Sequence, residues 1–227
     1  MGYTHYWDRP QVIAQDSFAA IRADFERLVL PLSDLGVDLA DWDGKGMPTI
    51  TDDLIRFNGA SDCGHPENQD LIIPYPTPEA QGVGPNSTAI EGDFYGWGVT
   101  VQHRCCNGHC SYGTFALARK KELGSGEDPH ENGLYGEFVK TGFRPYDIAV
   151  TAALLIAKRH LSDRLVVQSN GGEAQWSDAK RLCQMVLKYG DWFGIVEEEV
   201  EERSPGLNAT RKVLLRTLIG FPEPRFT

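Results

Sequence analysis

The chain has 227 residues and a formal net charge of −10 at pH 7, with a sequence pI of about 5.0. This length supplies enough core for one large domain or two small ones. The acidic balance excludes broad, charge-driven binding to nucleic acid or to membrane surfaces, because both need a basic face. The acidic net charge is still compatible with a local basic pocket and with a basic protein partner.

The cysteine content indicates the compartment. Five cysteines are an odd number, and four of them lie in two clusters that also contain histidine. In a reducing compartment this usage favours metal ligation over disulfides. No apolar run approaches a membrane span, and residues 1–15 lack the regions of a signal peptide. We therefore expect a cytoplasmic protein.

The first elements predicted are a strand and a helix. The aromatic segment GYTHYW at residues 2–7 predicts a short strand that packs on the core, and the functional alternative is that His5 lines a pocket. Ser17 can cap an amphipathic helix over about residues 17–30, which Pro31 ends. Two short strands, VDLADW and DLIRF, follow around the polar turn DGKGMP.

A Cys- and His-rich insert is predicted at about residues 58–115. Its first part is rich in Gly, Pro, Asn and Asp and contains one strand-like run, LIIPY. Such a long irregular segment needs a functional or cross-linking reason. Beyond it, VTVQH and YGTFALA predict an antiparallel pair joined by RCCNGHCS, and residues 120–134 form a charged, Gly-rich loop.

The stretch FVKTGFRPYDIAVTAALLIAKRHL at residues 138–161 predicts the central helix of the domain. Pro145 suits the first helical turn, because its φ is fixed and its missing N–H is not needed there. Asp147 meets the positive end of the helix dipole, and basic residues crowd the last turn. Residues 148–157 are apolar except for Thr151, so we expect neighbours to cover this helix on most sides.

The C-terminal third combines a strand, a helix and a tail. RLVVQS predicts the strand, and Ser177 can cap a helix over about 177–189 in which Cys183 lies on the buried face. The glutamate run at 197–202 is typical of a solvated helix or flexible face, and the apolar residues after it can fold back or dock on a partner. We predict one domain over 1–193 and an acidic and apolar tail over 194–227.

The order of these elements predicts the fold class. Strands and helices do not alternate strictly, as they would in a parallel doubly wound fold. We predict an α+β fold: a mostly antiparallel sheet, a buried central helix at about 145–161 and two flanking helices.

The two Cys/His clusters predict one structural zinc ion. A structural zinc site takes four N or S ligands in a tetrahedron, often as short-spaced pairs from separate loops. Either Cys105 or His109 could replace one ligand, and free thiols or a Cys63 disulfide are the alternatives. The predicted ligands are Cys63, His65, Cys106 and Cys110.

The start of the central helix predicts an anion site. Helix dipole, backbone N–H groups and side-chain charge all favour a negative ligand there. We expect an anionic small molecule, such as a nucleotide, near Arg144. In the alternative, Arg144 pairs with Asp147 and caps the helix. The predicted ligand-binding residues are Lys140, Thr141, Arg144, Tyr146, His5 and Tyr6.

Three kinds of function stay open. The first is a non-catalytic protein that binds an anionic small molecule or a protein partner. The second is an enzyme acting on a nucleotide-like substrate, although no nucleophile elbow, HExxH helix, deaminase motif or Gly-rich phosphate loop is present. The third is a structural or virion-associated protein that assembles, with homo-oligomer contacts through the C-terminal tail.

The chain resembles a family of small uncharacterised proteins found in bacteriophages, prophages and bacteria. The resemblance runs from residue 1 to about 193 and is carried by MGYTHYW, CGHP, IPYPTPEA, GVGPN, CNGHCSYGTF and KTGFRPYDIAVTAALLIAKRHL. Relatives often have cysteine where Val139 stands, which argues against a cysteine nucleophile at that position. The family has no established activity. The resemblance implies an accessory role, such as interference with host defence, in a bacterium or a phage-infected host cell.

Overall fold

The computed structural model describes residues 3–65, 70–72, 92–94, 97–99, 103–106, 108–203 and 210–220. Helices and antiparallel strands mix in this part of the chain, which confirms the predicted α+β class. The helices are α1 (Gln15–Asp34), α2 (Asp147–Leu161) and α3 (Glu173–Leu187). The strands are β1 (Thr4–Arg9), β2 (Leu39–Ala40), β3 (Thr49–Ile50), β4 (Leu54–Gly59), β5 (Asp70–Ile72), β6 (Gly92–Phe94), β7 (Trp97–Val99), β8 (His103–Cys105), β9 (Phe115–Ala118), β10 (Tyr135–Lys140), β11 (Val166–Ser169), β12 (Phe193–Arg203) and β13 (Thr210–Gly220).

The main sheet has five strands in the order β10-β1-β11-β13-β12. Its second strand, β1, pairs with β10 on one side and with β11 on the other. Side chains alternate between the two faces of a strand, so His5 and Trp7 are buried on one face while Tyr6 is exposed on the other. The predicted N-terminal strand is therefore confirmed, and its alternation decides which residues can share a site.

A second sheet packs beside the main one. Its strand pairs show that the predicted pairing of VTVQH with YGTFALA was wrong. Strand β9 pairs with β4, and β8 pairs with β5. The rings of Phe115 in β9 and Phe57 in β4 lie 5.0 Å apart in the core. Burial of this aromatic pair favours the pairing of β9 with β4, although VTVQH lies nearer to β9 in the sequence. Residues 100–102 of VTVQH and most of LIIPY lie outside the described residues.

Helix α2 is the buried centre of the domain, as predicted. It packs against α1 and α3, and residues 148–157 are all buried. Each large apolar side chain that this burial removes from water contributes about 1.5–3 kcal/mol. The helix begins at Asp147 and not at Pro145, because Tyr146 occupies the N-cap position. Among the described residues, no helix combines the length and the hydropathy needed to span a bilayer.

The flanking helices differ from the prediction at their ends. Helix α1 continues past Pro31 to Asp34, since the buried side chains of Leu28 and Leu32 hold its last turn on the core. Helix α3 starts four residues before Ser177, because the Gln175 side chain accepts a hydrogen bond of 2.9 Å from the Gly172 N–H and caps the helix there. Cys183 is fully buried, as predicted.

The C-terminal segment forms a hairpin where a solvated helix or flexible face was expected. Strands β12 and β13 pair from Phe193–Gly220 to Arg203–Thr210, and Gln168 of β11 pairs with Thr217 of β13. The glutamate run follows Ile195 and Val196, and Arg216 pairs with Glu197 across the strands at 2.8 Å. Cross-strand pairs of opposite charge stabilise such a ladder. Residues 193–203 and 210–220 therefore extend the main sheet.

Candidate metal centre and ligand site

The four predicted metal ligands converge between two loops. Cys63 and His65 follow β4, while Cys106 and Cys110 follow β8. Their ligand atoms all lie within 4.8 Å of one another. The Sγ atoms of Cys63 and Cys106 are 3.8 Å apart, and Nδ1 of His65 lies 3.6 Å from Sγ of Cys106 and 3.3 Å from Sγ of Cys110. This group can hold a metal ion.

The spacing of these atoms fits a tetrahedral ion. Metal–sulfur bonds of about 2.3 Å and metal–nitrogen bonds of about 2.0 Å give tetrahedral edges of roughly 3.8 Å between two sulfur atoms and roughly 3.5 Å between sulfur and nitrogen. Three separations, of 3.8, 3.6 and 3.3 Å, lie close to these values, and all four ligand atoms lie within 4.8 Å of one another. The four side chains are therefore close enough together to ligate one ion.

Two thiols of the cluster have raised pKa values. Burial raises the pKa of the Cys110 thiol, and the nearby sulfur of Cys63 raises it further. Burial likewise raises the pKa of Cys106. Several thiolates cannot accumulate in so small a space without a cation, since their charges repel one another. A bound metal ion supplies that charge and replaces the thiol protons.

Backbone contacts fix the metal loop, defined here as residues 106 and 108–110. The Cys110 N–H donates to the Ala60 carbonyl at 2.9 Å, and the His109 N–H donates to the Cys106 carbonyl at 3.1 Å. Gly108, with φ of 86°, allows this tight turn. Gly59 approaches so closely that a Cβ there would stand 2.7 Å from the Cys110 carbonyl carbon. The loop thus packs directly on the end of β4.

Arg144 joins the metal loop to the start of α2. Its guanidinium donates to the carbonyls of Cys106, at 3.2 Å, and of His109. It also lies 2.9 Å from Nδ1 of His109 and stacks on the Tyr112 ring. Asp147 has different partners, so the alternative pair of Arg144 with Asp147 is not what the structure forms. The exposed His109 ring contacts Arg144 and stands outside the ligand cluster, and Cys105 lies in β8.

Two of the predicted ligand-binding residues meet beneath the sheet. Nε2 of His5 lies 2.8 Å from Oδ1 of Asp147, and the Thr141 hydroxyl donates to the same oxygen at 2.5 Å. His5, Thr141 and Asp147 are completely buried. On its other side, Nδ1 of His5 lies 2.9 Å from Oγ of Ser169. His5 and Thr141 therefore belong to one buried hydrogen-bonded chain.

Lys140 and Tyr6 lie on the opposite face of the sheet. Lys140 is exposed, and Tyr6 is 44% exposed with its ring 6.3 Å from that of Phe138. A cleft of about 450 Å³ opens beside them, lined by Tyr112, Gly113, Thr114, Phe138, Val139 and Lys140. Tyr146 is buried behind this cleft and donates its hydroxyl to the Gly113 carbonyl at 2.6 Å. Burial raises the pKa of that hydroxyl, which keeps it a donor.

The six predicted ligand-binding residues thus divide into separate groups. His5 and Thr141 join below the sheet, Lys140 and Tyr6 stand above it, Arg144 contacts the metal loop, and Tyr146 supports the cleft. Sequence reasoning did not select Ser169 or Tyr112. Only the pairing of β1 with β11 brings Ser169 to His5, whereas the position of Tyr112 two residues after a predicted metal ligand is a signal visible in the sequence.

Comparisons with models of protein families, with curated proteins and with solved structures gave no match. The geometry of the metal cluster, the cleft and the buried chain is therefore the basis for assigning a function.

The contact between Gly59 and Cys110 generates a stability prediction. Gly59→Ala should lower the free energy of unfolding by about 1–3 kcal/mol, because the added methyl group must displace the metal-loop backbone. Gly124→Ala is the matched control, since its Cβ would only contact the Glu127 side chain at 3.6 Å. It should stay within about 0.5 kcal/mol of the parent. Urea denaturation measures both, and equal effects of the two changes would contradict the close packing.

Proposed function

We propose that the chain is a phage- or prophage-type accessory protein that holds one structural zinc ion and binds an anionic small molecule in the cleft beside Lys140. The main support for the proposal is the position of Tyr112 between the metal cluster and the cleft. This aromatic wall of the cleft follows the predicted metal ligand Cys110 by two residues, so an ion in the cluster would hold the wall in place.

Zinc is the metal that the ligand set favours. Three thiolates and one imidazole form the Cys₃His set of structural zinc sites. Four protein ligands complete a tetrahedron, so the position that a catalytic zinc keeps for water is filled. The ion would therefore act on structure, by tying the loop after β4 to the metal loop.

Hydrogen bonds to the backbone of residues 112 and 113 connect the segment after the metal loop with the cleft. The buried side chain of Asn58 donates to the Tyr112 carbonyl at 3.1 Å and accepts from the Tyr112 N–H at 2.9 Å. The Gly113 N–H then donates to the Lys140 carbonyl at 2.9 Å. The aromatic and the cationic sides of the cleft are thus joined through the backbone, and both are pre-organised before a ligand arrives.

The lining of the cleft indicates a planar anion. Tyr112 and Phe138 are 50% and 63% exposed, so their rings are available to stack on a flat ligand. Lys140 supplies a positive charge beside them, and on an acidic protein a local cation selects small anions over extended polyanions. A nucleotide-sized molecule has both properties. Arg144 adds positive charge from behind Tyr112 but uses its donors on the metal loop.

The place of action that we infer is the cytoplasm of a bacterium or of a phage-infected host cell. Cys63, Cys106, Cys110 and Cys183 are free thiols, which suits a reducing compartment. The phage-type motifs support a role in interference with host defence, for which capture of a signalling nucleotide is one route.

Removing metal ligands tests the zinc proposal. Cys63→Ser and Cys110→Ser should each lose zinc and unfold at lower temperature, because structural zinc contributes its binding free energy to folding. Cys183→Ala is the matched control, since Cys183 is a buried free cysteine in α3 outside the cluster. It should keep about one equivalent of zinc, measured by elemental analysis under reducing conditions. Parent protein without metal, or equal loss of zinc in the control, would contradict the proposal.

Removing the cation of the cleft tests the ligand site. Lys140→Ala should weaken binding of the fluorescent anion trinitrophenyl-ATP about fivefold or more, a loss of about 1 kcal/mol. Tyr112→Ala should weaken it as well, because the stacking surface is lost. Lys120→Ala, which removes another exposed lysine, is the control and should bind as the parent does. Equal affinity of the Lys140 and Lys120 variants in a fluorescence titration would rule the cleft out.

A further inference from the structure

A buried Ser–His–Asp chain lies below the main sheet, on the opposite face from the cleft. Oγ of Ser169 is 2.9 Å from Nδ1 of His5, and Nε2 of His5 is 2.8 Å from Oδ1 of Asp147. The three residues come from the end of β11, from β1 and from the first position of α2. Each is therefore held by a regular element, which fixes the geometry better than a loop can.

The hydrogen bonds have one consistent direction. A carboxylate only accepts hydrogen bonds, so Asp147 requires the proton of His5 on Nε2. Nδ1 is then bare and accepts the hydroxyl proton of Ser169. The Ser169 oxygen in turn accepts from the Gly171 N–H at 2.9 Å. This is the direction in which a histidine base activates a serine nucleophile.

The surroundings of the chain contain buried polar atoms that lack partners. Across the residues that the structure describes, Oδ2 of Asp147, Nε1 of Trp176 and Nε of Arg104 make no hydrogen bond. Trp176 and Arg104 are completely buried, and the Trp176 ring stands perpendicular to that of His5 with 5.5 Å between centroids. An unsatisfied buried group is unfavourable unless a ligand or water satisfies it. The N–H groups of Trp176 and Arg104 can each donate to a polar ligand.

The turn before α2 adds a second sign of a functional site. Phe143 has φ of 55°, a left-handed conformation that is unfavourable for a residue with a side chain. Its ring contacts Tyr3, at 4.9 Å between centroids, and lies under the Arg104 guanidinium at 4.7 Å. Tyr3 in turn packs on His5. Such strain clusters at active sites, where surrounding contacts maintain it.

We propose that Ser169, His5 and Asp147 form the catalytic triad of a hydrolase for small, uncharged carboxylic esters. The buried Asp147 carboxylate beside His5 disfavours anionic substrates, whereas the charge of Asp178 is paired with that of Arg104. The proposed ester site is thus distinct in chemistry and in place from the anion cleft, and it stands independently of that cleft.

The reaction uses water alone as co-reactant. The Ser169 oxygen attacks the ester carbonyl carbon while its proton passes to Nδ1 of His5. The bond to the alkoxide then breaks, and the alkoxide takes that proton and leaves as the alcohol. Water attacks the acyl-serine with His5 again as the base, which releases the carboxylic acid and restores Ser169. Asp147 holds the imidazole in the required tautomer and stabilises its charge.

Labelling with an alkyl fluorophosphonate tests this proposal, because the reagent reacts with activated serines. Ser169 keeps 8% exposure and precedes the exposed Asn170. Intact mass and peptide mapping of the folded parent should show one adduct, on Ser169. Ser169→Ala should abolish it, and His5→Gln should slow it at least a hundredfold, as loss of a general base does. Ser177→Ala is the control and should label at the parent rate.

Hydrolysis of p-nitrophenyl acetate should follow the same order among the variants, with the thermal melt of each showing that it is folded. A folded parent that gives no adduct on Ser169 overturns the proposal, whatever the variants do. Labelling of His5→Gln at the parent rate overturns it too, since Ser169 would then react without its base. In either result the chain is a structural hydrogen-bond network that joins β1, β11 and α2.

Discussion

Three thiols and one imidazole converge between two loops whose ligands lie more than 40 residues apart in sequence. The position of Tyr112 on one side of the cleft follows from this convergence. The metal loop that carries Cys106 and Cys110 packs on Gly59, and Arg144 holds the carbonyls of the same loop at the start of α2. The strand segment leaving the loop then places Tyr112. A single ion at the cluster would thereby connect the second sheet, the central helix and the edge of the main sheet. Four side chains would be enough to cross-link these three parts of the fold.

The side chains of β1 alternate between the two faces of the main sheet, so residues with different chemistry lie on each face. Tyr6 faces outward beside Phe138, where an exposed lysine and aromatic rings suit a planar anion. His5 faces inward, where it connects Asp147 with Ser169 and all three side chains are buried. Neighbouring residues of one strand thus lie in surroundings of opposite character. The position of α2 supports both, since its first residue is Asp147 and the turn before it carries Arg144.

The parts of this structure that local patterns determine could be predicted from the sequence. The apolar run of residues 148–157 predicted a buried helix, and the short spacing of cysteine and histidine predicted which ligands would meet. Long-range pairing could not be predicted this way. Strand β9 pairs with β4 because their aromatic residues share a core, and the glutamate run forms a strand because an arginine faces it across the hairpin. Arg144 carries a charge suited to anions, but tertiary contacts with two carbonyls decide its role.

The structural zinc ion proposed at Cys63, His65, Cys106 and Cys110 can be observed by spectroscopy. The X-ray absorption spectrum of the purified protein at the zinc edge tests this most directly, because it reports the ligand types and distances around the ion. We expect three sulfur ligands at about 2.3 Å and one nitrogen ligand at about 2.0 Å. A shell of oxygen and nitrogen alone, or protein purified under reducing conditions with no zinc absorption edge, would contradict it.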